Sequence, residues 1–165
     1  MPNTFELISA VTVGSGGTAS IDFTSIPATF TDLCVKVSIR NVNDTPSVLL
    51  RFNSTTTNHS DLWLYGSGSF ADTTTNANIE MLLNRSSSTS STFGNAEIYI
   101  PNYAGSTNKS VSIDAVSENN GTLAYAQLNA GLWSNTAAIN AIKLLAGSGN
   151  IAQHSTAYLY GVKNA

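Results

Sequence analysis

The chain has 165 residues, of which 10% are charged, against roughly a quarter in an average soluble domain, while 42% are hydrophobic. That much apolar surface offsets the entropy of ordering one domain, which excludes a disordered chain, and the length leaves no room for a second core, so residues 1–165 read as a single domain. A net charge of −3, with Lys36, Arg40, Arg51, Arg85, Lys109, Lys143 and Lys163 scattered along the sequence, excludes the clustered cations that nucleic acid requires.

After a short lead at residues 1–4, apolar and polar residues alternate with period two, which predicts strands with one face on a core. The segments are 5–13, 20–23, 33–40, 48–52, 62–65, 79–83, 96–100, 111–116, 123–132, 139–145 and 156–162, about ten strands with no helix. In 33–40 the core set is Leu33, Val35, Val37 and Ile39; in 48–52 it is Val48, Leu50 and Phe52, with Arg51 on the opposite face. In 62–65 the same rule places Leu62 and Leu64 inside, against Trp63 and Tyr65. Gly14-Ser15-Gly16-Gly17 reads as a hairpin connection, and Asn119-Asn120-Gly121 as a tight turn. The Ser/Thr-rich segments 66–76 and 85–92 have no strand period and are expected as exposed loops. Residues 137–145 have some helix propensity but alternate and end at Gly147-Ser148-Gly149, so they too read as strand. The fold class is all-β, an antiparallel two-sheet β-sandwich or jelly roll.

Residues that could carry chemistry lack partners. A single cysteine, Cys34, rules out an internal disulfide and reads as a small core or sheet residue. His59 and His154 are far apart, fit no metal-ligand spacing and read as solvated loop residues. Asp61 with Glu97, or Asp114 with Glu118, could form a carboxylate pair for glycoside hydrolysis, but scattered acids on solvent faces, which keep a weakly charged shell soluble, explain them better. Asn41-Val42-Asn43-Asp44 offers oxygen ligands for calcium and reads better as an Asx turn. The expectation is therefore a protein that is not an enzyme, with no catalytic, cofactor-binding or metal residue. Trp63, Tyr65, Tyr99, Tyr103, Trp133, Tyr158 and Tyr160 include aromatics on outer strand faces, suited to a subunit interface or to stacking a sugar, though none is singled out as a ligand residue. No apolar run reaches the ~18–20 residues that span a bilayer, and MPNTFELISA lacks a signal-peptide pattern, so no membrane partner is expected and synthesis is expected in a cytoplasm. The triplets at Asn53, Asn58 and Asn120 that match the glycosylation pattern follow from so much Ser, Thr and Asn.

The C-terminal third carries Gly131-Leu132-Trp133, then Thr136-Ala137-Ala138-Ile139-Asn140-Ala141-Ile142, then Gly149-Asn150 and Ser155-Thr156-Ala157-Tyr158-Leu159-Tyr160-Gly161-Val162. Together with Leu49-Leu50-Arg51-Phe52-Asn53 and Leu62-Trp63-Leu64-Tyr65-Gly66, this pattern resembles small jelly-roll virion proteins of tailed bacteriophages, which include capsid cement or decoration proteins and fibre head domains. The resemblance spans most of residues 20–163 and brings no catalytic residue with it. It implies a homotrimer on the outer capsid surface of a virion, bound to the major capsid protein and clamping neighbouring capsid subunits. The alternatives are a fibre or spike head that binds a host-surface glycan and a stand-alone carbohydrate-binding module.

Overall fold

The computed structural model describes residues 4–121 and 124–163, and within them the chain forms twelve strands. In order these are β1 (Phe5–Thr12), β2 (Ser20–Phe23), β3 (Asp32–Ile39), β4 (Ser47–Phe52), β5 (His59–Gly66) and β6 (Ala71–Asn76). They continue as β7 (Ile79–Leu82), β8 (Gly94–Ile100), β9 (Lys109–Val116), β10 (Ala126–Trp133), β11 (Ile142–Ala146) and β12 (Thr156–Val162). All named pairings are antiparallel. Eight strands make one sheet in the order β1-β12-β3-β8-β9-β10-β5-β6, and four make a second in the order β2-β11-β4-β7. The result is the expected β-sandwich. Its first strand pairs with its last and its second with the one before, the nested pairing of a chain folded back on itself as a roll.

β-Branched and aliphatic residues at every second position fix the inward face. On β3, Leu33, Val35, Val37 and Ile39 all point into the core, as the alternation predicts, and they meet Val48, Leu50 and Phe52 of β4 in the same cluster. Lys36 and Ser38 take the other face. Cys34 also lies on that outer side yet is fully buried, between its cross-strand partners Tyr160 and Tyr99. Burial pushes its thiol up to about 11, with the Glu97 charge adding to the effect, so it is an unreactive sheet residue.

The connections depart from the sequence reading in three places. Gly14 to Gly17 does form a turn, with the Gly17 amide donating to the Gly14 carbonyl at 3.2 Å, but it is not a hairpin. It carries the chain from the eight-stranded sheet to the four-stranded one, since β1 pairs with β12 and β2 with β11. Gly17 sits at φ +73, and a Cβ there would stand 2.5 Å from the Ile151 carbonyl oxygen. The second departure is β6, which lies within the segment expected to be loop. It consists of Ala71-Asp72-Thr73-Thr74-Thr75-Asn76, a threonine-rich edge strand wet on most of its surface, and so it shows no hydrophobic period. Ser67 to Phe70 close the β5–β6 hairpin with an amide-to-carbonyl bond of 3.0 Å. Third, the strand expected over 139–145 begins only at Ile142, although Ile139 is buried ahead of it. Of the strand expected over 123–132, residue 123 lies outside the described residues and the rest forms β10 from Ala126.

Arg40 explains the shape of the 85–92 loop. Its guanidinium donates to the carbonyls of Ser86 (3.1 Å), Ser88 (2.9 Å), Thr89 (2.9 Å) and Thr92 (3.1 Å). One planar donor array thus gathers a Ser/Thr segment that has no core residues of its own.

Candidate contact surface

Two strands of the large sheet are turned inside out relative to their hydrophobic pattern. On β5 the inward residues are His59, Asp61 and Trp63, while Leu62 and Leu64 are 50% and 54% exposed. On β10 the inward residues are Gln127, Asn129, Gly131 and Trp133, and Leu128 on the outside is 56% exposed. The expectation that Leu62 and Leu64 face the core is therefore overturned. The period was right and its phase was wrong, and in a strand a one-residue slip exchanges the two faces.

The cause lies in β7. This strand is an edge of the small sheet and packs against β9, β10 and β5. On one side it pairs with β4, and on the other its backbone groups would be orphaned inside the protein. Side chains from β5 and β10 take the place of a missing neighbour strand. The Glu80 amide donates to Asp61 Oδ2 at 2.9 Å and the Leu82 amide donates to Gln127 Oε1 at 2.8 Å. Asn129 Nδ2 donates to the Glu80 carbonyl at 2.6 Å, and Gln127 Nε2 reaches the same oxygen at 3.5 Å. These three polar side chains must face inward, so the alternating leucines must face out.

The buried end carries the shifted titrations. Burial raises the Asp61 carboxyl, against the lowering pull of the Glu80 amide and of Trp63, Asn76 and Asn129. Glu80 is raised too, by burial first and by the Asp61 charge in addition. Asp61 and Glu80 thus feel each other's charge, and Glu97 lies directly across from Asp114 on the outer face, two pairs the sequence did not suggest. Asp61 and Glu97 point to opposite faces of strands three spacings apart, about 14 Å. Asp114 and Glu118 are four residues apart along extended chain, about 13 Å. Glu97 instead pairs with Lys36 at 2.8 Å.

His59 is not the solvated loop residue its neighbours suggested. It opens β5, is buried, and lies 6.2 Å from Trp133 with ring planes 16° apart. Burial, and then the Arg51 charge, push its pKa down to about 4. His154 is exposed, at φ +71. In the Asn41–Asp44 segment the side chains serve the turn: Asn41 Nδ2 donates to the Thr45 and Ser47 carbonyls, and Asp44 meets Arg85 at 3.2 Å. Among the described residues no group of three or more His, Cys, Asp or Glu is placed to hold a metal ion. No helix among the described residues is long and apolar enough to cross a membrane.

The aromatics divide between inside and outside. Trp63, Tyr103 and Trp133 are core residues, which corrects their candidacy for an outer face. Tyr99, Tyr158 and Tyr160 are on the outer face of the large sheet, where the Tyr99 hydroxyl donates to Asp32 Oδ2 at 2.5 Å. Phe5 packs edge-on against Tyr160 with centroids 6.4 Å apart. Gly161 lies inside β12, where the Phe30 ring occupies the space a Cβ would need.

The outer face of the eight-stranded sheet thus has two halves. Over β1, β12, β3 and β8 it presents Phe5, Leu7, Tyr158 and Tyr160 beside the Lys36–Glu97 ion pair. Over β9, β10, β5 and β6 it presents Leu62, Leu64, Leu128, Leu132 and Val116 among alanines, serines and threonines. Shallow depressions run across both halves, lined by such residues as Leu64, Leu128 and Thr73 on one side and Phe5, Lys36 and Tyr160 on the other. Such a surface can act by shape and apolar contact. No family model matches the chain, and no curated protein or solved structure matches it.

Proposed function

We propose that this chain is a structural protein that works by contact, with the outer face of its eight-stranded sheet as the contact surface. The observation that carries the reading is the reversal of β5 and β10, which sets Leu62, Leu64, Leu128 and Leu132 on the outside. Scattered exposed leucines are ordinary, but these lie on adjacent strands in register, with Leu64 directly opposite Leu128. A low charge fits the same role, because a shell component must be soluble without attracting partners through its field. The sequence resemblance gives this contact role a setting, a decoration or cement protein on the outside of a tailed-phage capsid. Many copies would each add a modest contact, and the contacts would accumulate by avidity.

The test is removal of the protein from such a particle. Particles without it assemble but release their DNA more readily on heating or osmotic shock, with adsorption to cells unchanged. Adsorption lost while particles keep their stability would assign the chain to a host-binding fibre head, and no change in either property would sink both readings.

A further inference from the structure

We propose that a second copy of this chain docks on the leucine half of the outer face, the two copies related by a twofold axis running along the strands between β5 and β10. The proposal rests on reading the outer face as a contact surface and names its occupant. Strand register carries it. Across β9, β10, β5 and β6 one row reads Asp114, Leu128, Leu64, Thr73, and the next reads Ser112, Ala130, Leu62, Thr75. Each row is polar, apolar, apolar, polar, and all eight residues are exposed.

A twofold axis in the interface plane reverses each row onto itself. Leu64 then meets Leu128 of the second copy, and Leu128 meets Leu64. Leu62 falls on Ala130, a large side chain over a small one, as interdigitating sheet faces require. Asp114 falls on Thr73, whose hydroxyl can donate to the carboxylate. Asp114 is the one charged side chain at the outward positions of these four strands, so pairing desolvates a single acid per copy and gives it a donor. The other half of the face, with Lys36, Glu97 and the tyrosines, has no such self-matching row and stays free for a different partner.

The area is adequate. Four strands about 4.8 Å apart and seven residues at about 3.3 Å each cover roughly 450 Å² in flat projection. That is already the size of the largest patch an ordinary monomer leaves open, about 300–600 Å². Side-chain relief, which makes accessible area larger than flat projection, brings it toward the roughly 800 Å² that each partner buries in a standard interface. A homotrimer, which the sequence resemblance implies, would leave these palindromic rows without a use.

Sedimentation velocity on the full chain, from low micromolar to submillimolar concentration, tests the pairing. The wild type is expected as a dimer, and Leu128→Glu or Leu64→Lys weakens it at least about tenfold. An equimolar mixture of the two variants returns to dimer, because the carboxylate introduced in one copy then faces the ammonium introduced in the other. Ser90→Glu, in the exposed 85–92 loop, leaves the dimer intact. Thermal melting confirms that both leucine variants remain folded. A monomeric wild type, any oligomer that survives both leucine substitutions, or a mixture that stays monomeric overturns the proposal. The two readings fail separately: a monomer that still stabilises particles sinks only the pairing, and a dimer whose loss leaves particles unaffected sinks only the capsid role.

Discussion

At the β3 end of the large sheet the inward positions are Leu33, Val35, Val37 and Ile39, whereas at the β5 end they are His59, Asp61 and Trp63, joined from β10 by Gln127, Asn129 and Gly131. The first end packs in one cluster with Val48, Leu50 and Phe52 of β4, a strand paired on both sides. The second rests on β7, whose outer edge has no strand beside it. The hydrophobic effect decides which way a strand faces only where the backbone has been provided for. Where it has not, two orphaned amides and a carbonyl in a dry interior, at about 1–3 kcal/mol each, match the gain from burying four leucines at about 1.5–3 kcal/mol each when those leucines retain about half their burial on the outside, and the adopted phase buries Trp63 and Trp133 in addition.

The sharpest way to break this comparison is to place a charge at the apolar end. Val37→Asp buries a carboxylate among aliphatic side chains with no donor, and is expected to cost more than about 4 kcal/mol and to unfold the domain. Chemical denaturation monitored by circular dichroism reads this directly. A folded variant with a near wild-type midpoint would show that the β3 end is not the packed end.

Acid should act on the polar end. His59 is held neutral, its pKa lowered from 6.5 to about 4, so the unfolded chain takes up a proton first as pH falls. Stability from this residue is complete above pH 6.5 and is lost progressively down to about 4, a total of about 3 kcal/mol at roughly 1.4 kcal/mol per pH unit. Asp61 and Glu80 have the opposite sign, since their folded pKa values are raised and protonation relieves a buried charge as pH falls toward the unfolded values. His59→Phe removes the loss and leaves the gain. Its denaturation midpoint is therefore expected to hold or rise between pH 6.5 and 4 while that of the wild type falls. Parallel curves for the two proteins would show that His59 is not the acid-sensitive group.

Gln127→Leu isolates the backbone stitch. The substitution adds apolar surface inside the protein, yet it takes away the acceptor of the Leu82 amide, so it is expected to destabilise by about 1–3 kcal/mol. Hydrogen exchange should accelerate at the Leu82 amide in particular. Unchanged or increased stability would mean that β7 does not need its side-chain partners.

These contrasts also mark what could be read in the chain beforehand. The all-β class, the strand spacing and the core of β3 and β4 were legible because Leu33 to Ile39 and Val48 to Phe52 alternate in the phase that burial wants. β5 and β10 alternate just as regularly, but their phase depends on which strand ends as the unpaired edge of the other sheet, a fact of topology that no local window contains. A sequence signal did exist: Gln127, Asn129 and Asp61 occupy alternate strand positions where a solvent-facing strand would more often carry Lys, Thr or Ser. β6 was lost for a simpler reason, since an edge strand of threonines is wet on most of its surface and leaves no apolar trace. The contact surface was legible only as a surplus of outer-face aromatics, and three of those, Trp63, Tyr103 and Trp133, turned out to be core.

The smallest expected effect is the most telling about the reversed strands. Leu64 belongs to the apolar phase of β5, and a reading by hydrophobic pattern alone makes it a core residue whose replacement by threonine is ruinous. Half exposed on the outer face, it can be exchanged for another strand former at a cost within about 0.5 kcal/mol for the isolated chain. Leu50→Thr on β4, where the leucine is fully buried, is the matched control and is expected to cost several times more. Both midpoints should be taken at protein concentrations too low for self-association, so that contacts between copies do not enter. Equal losses for the two variants would place Leu64 in the core after all, and with it would go the reversal of β5 and the contact surface built on it.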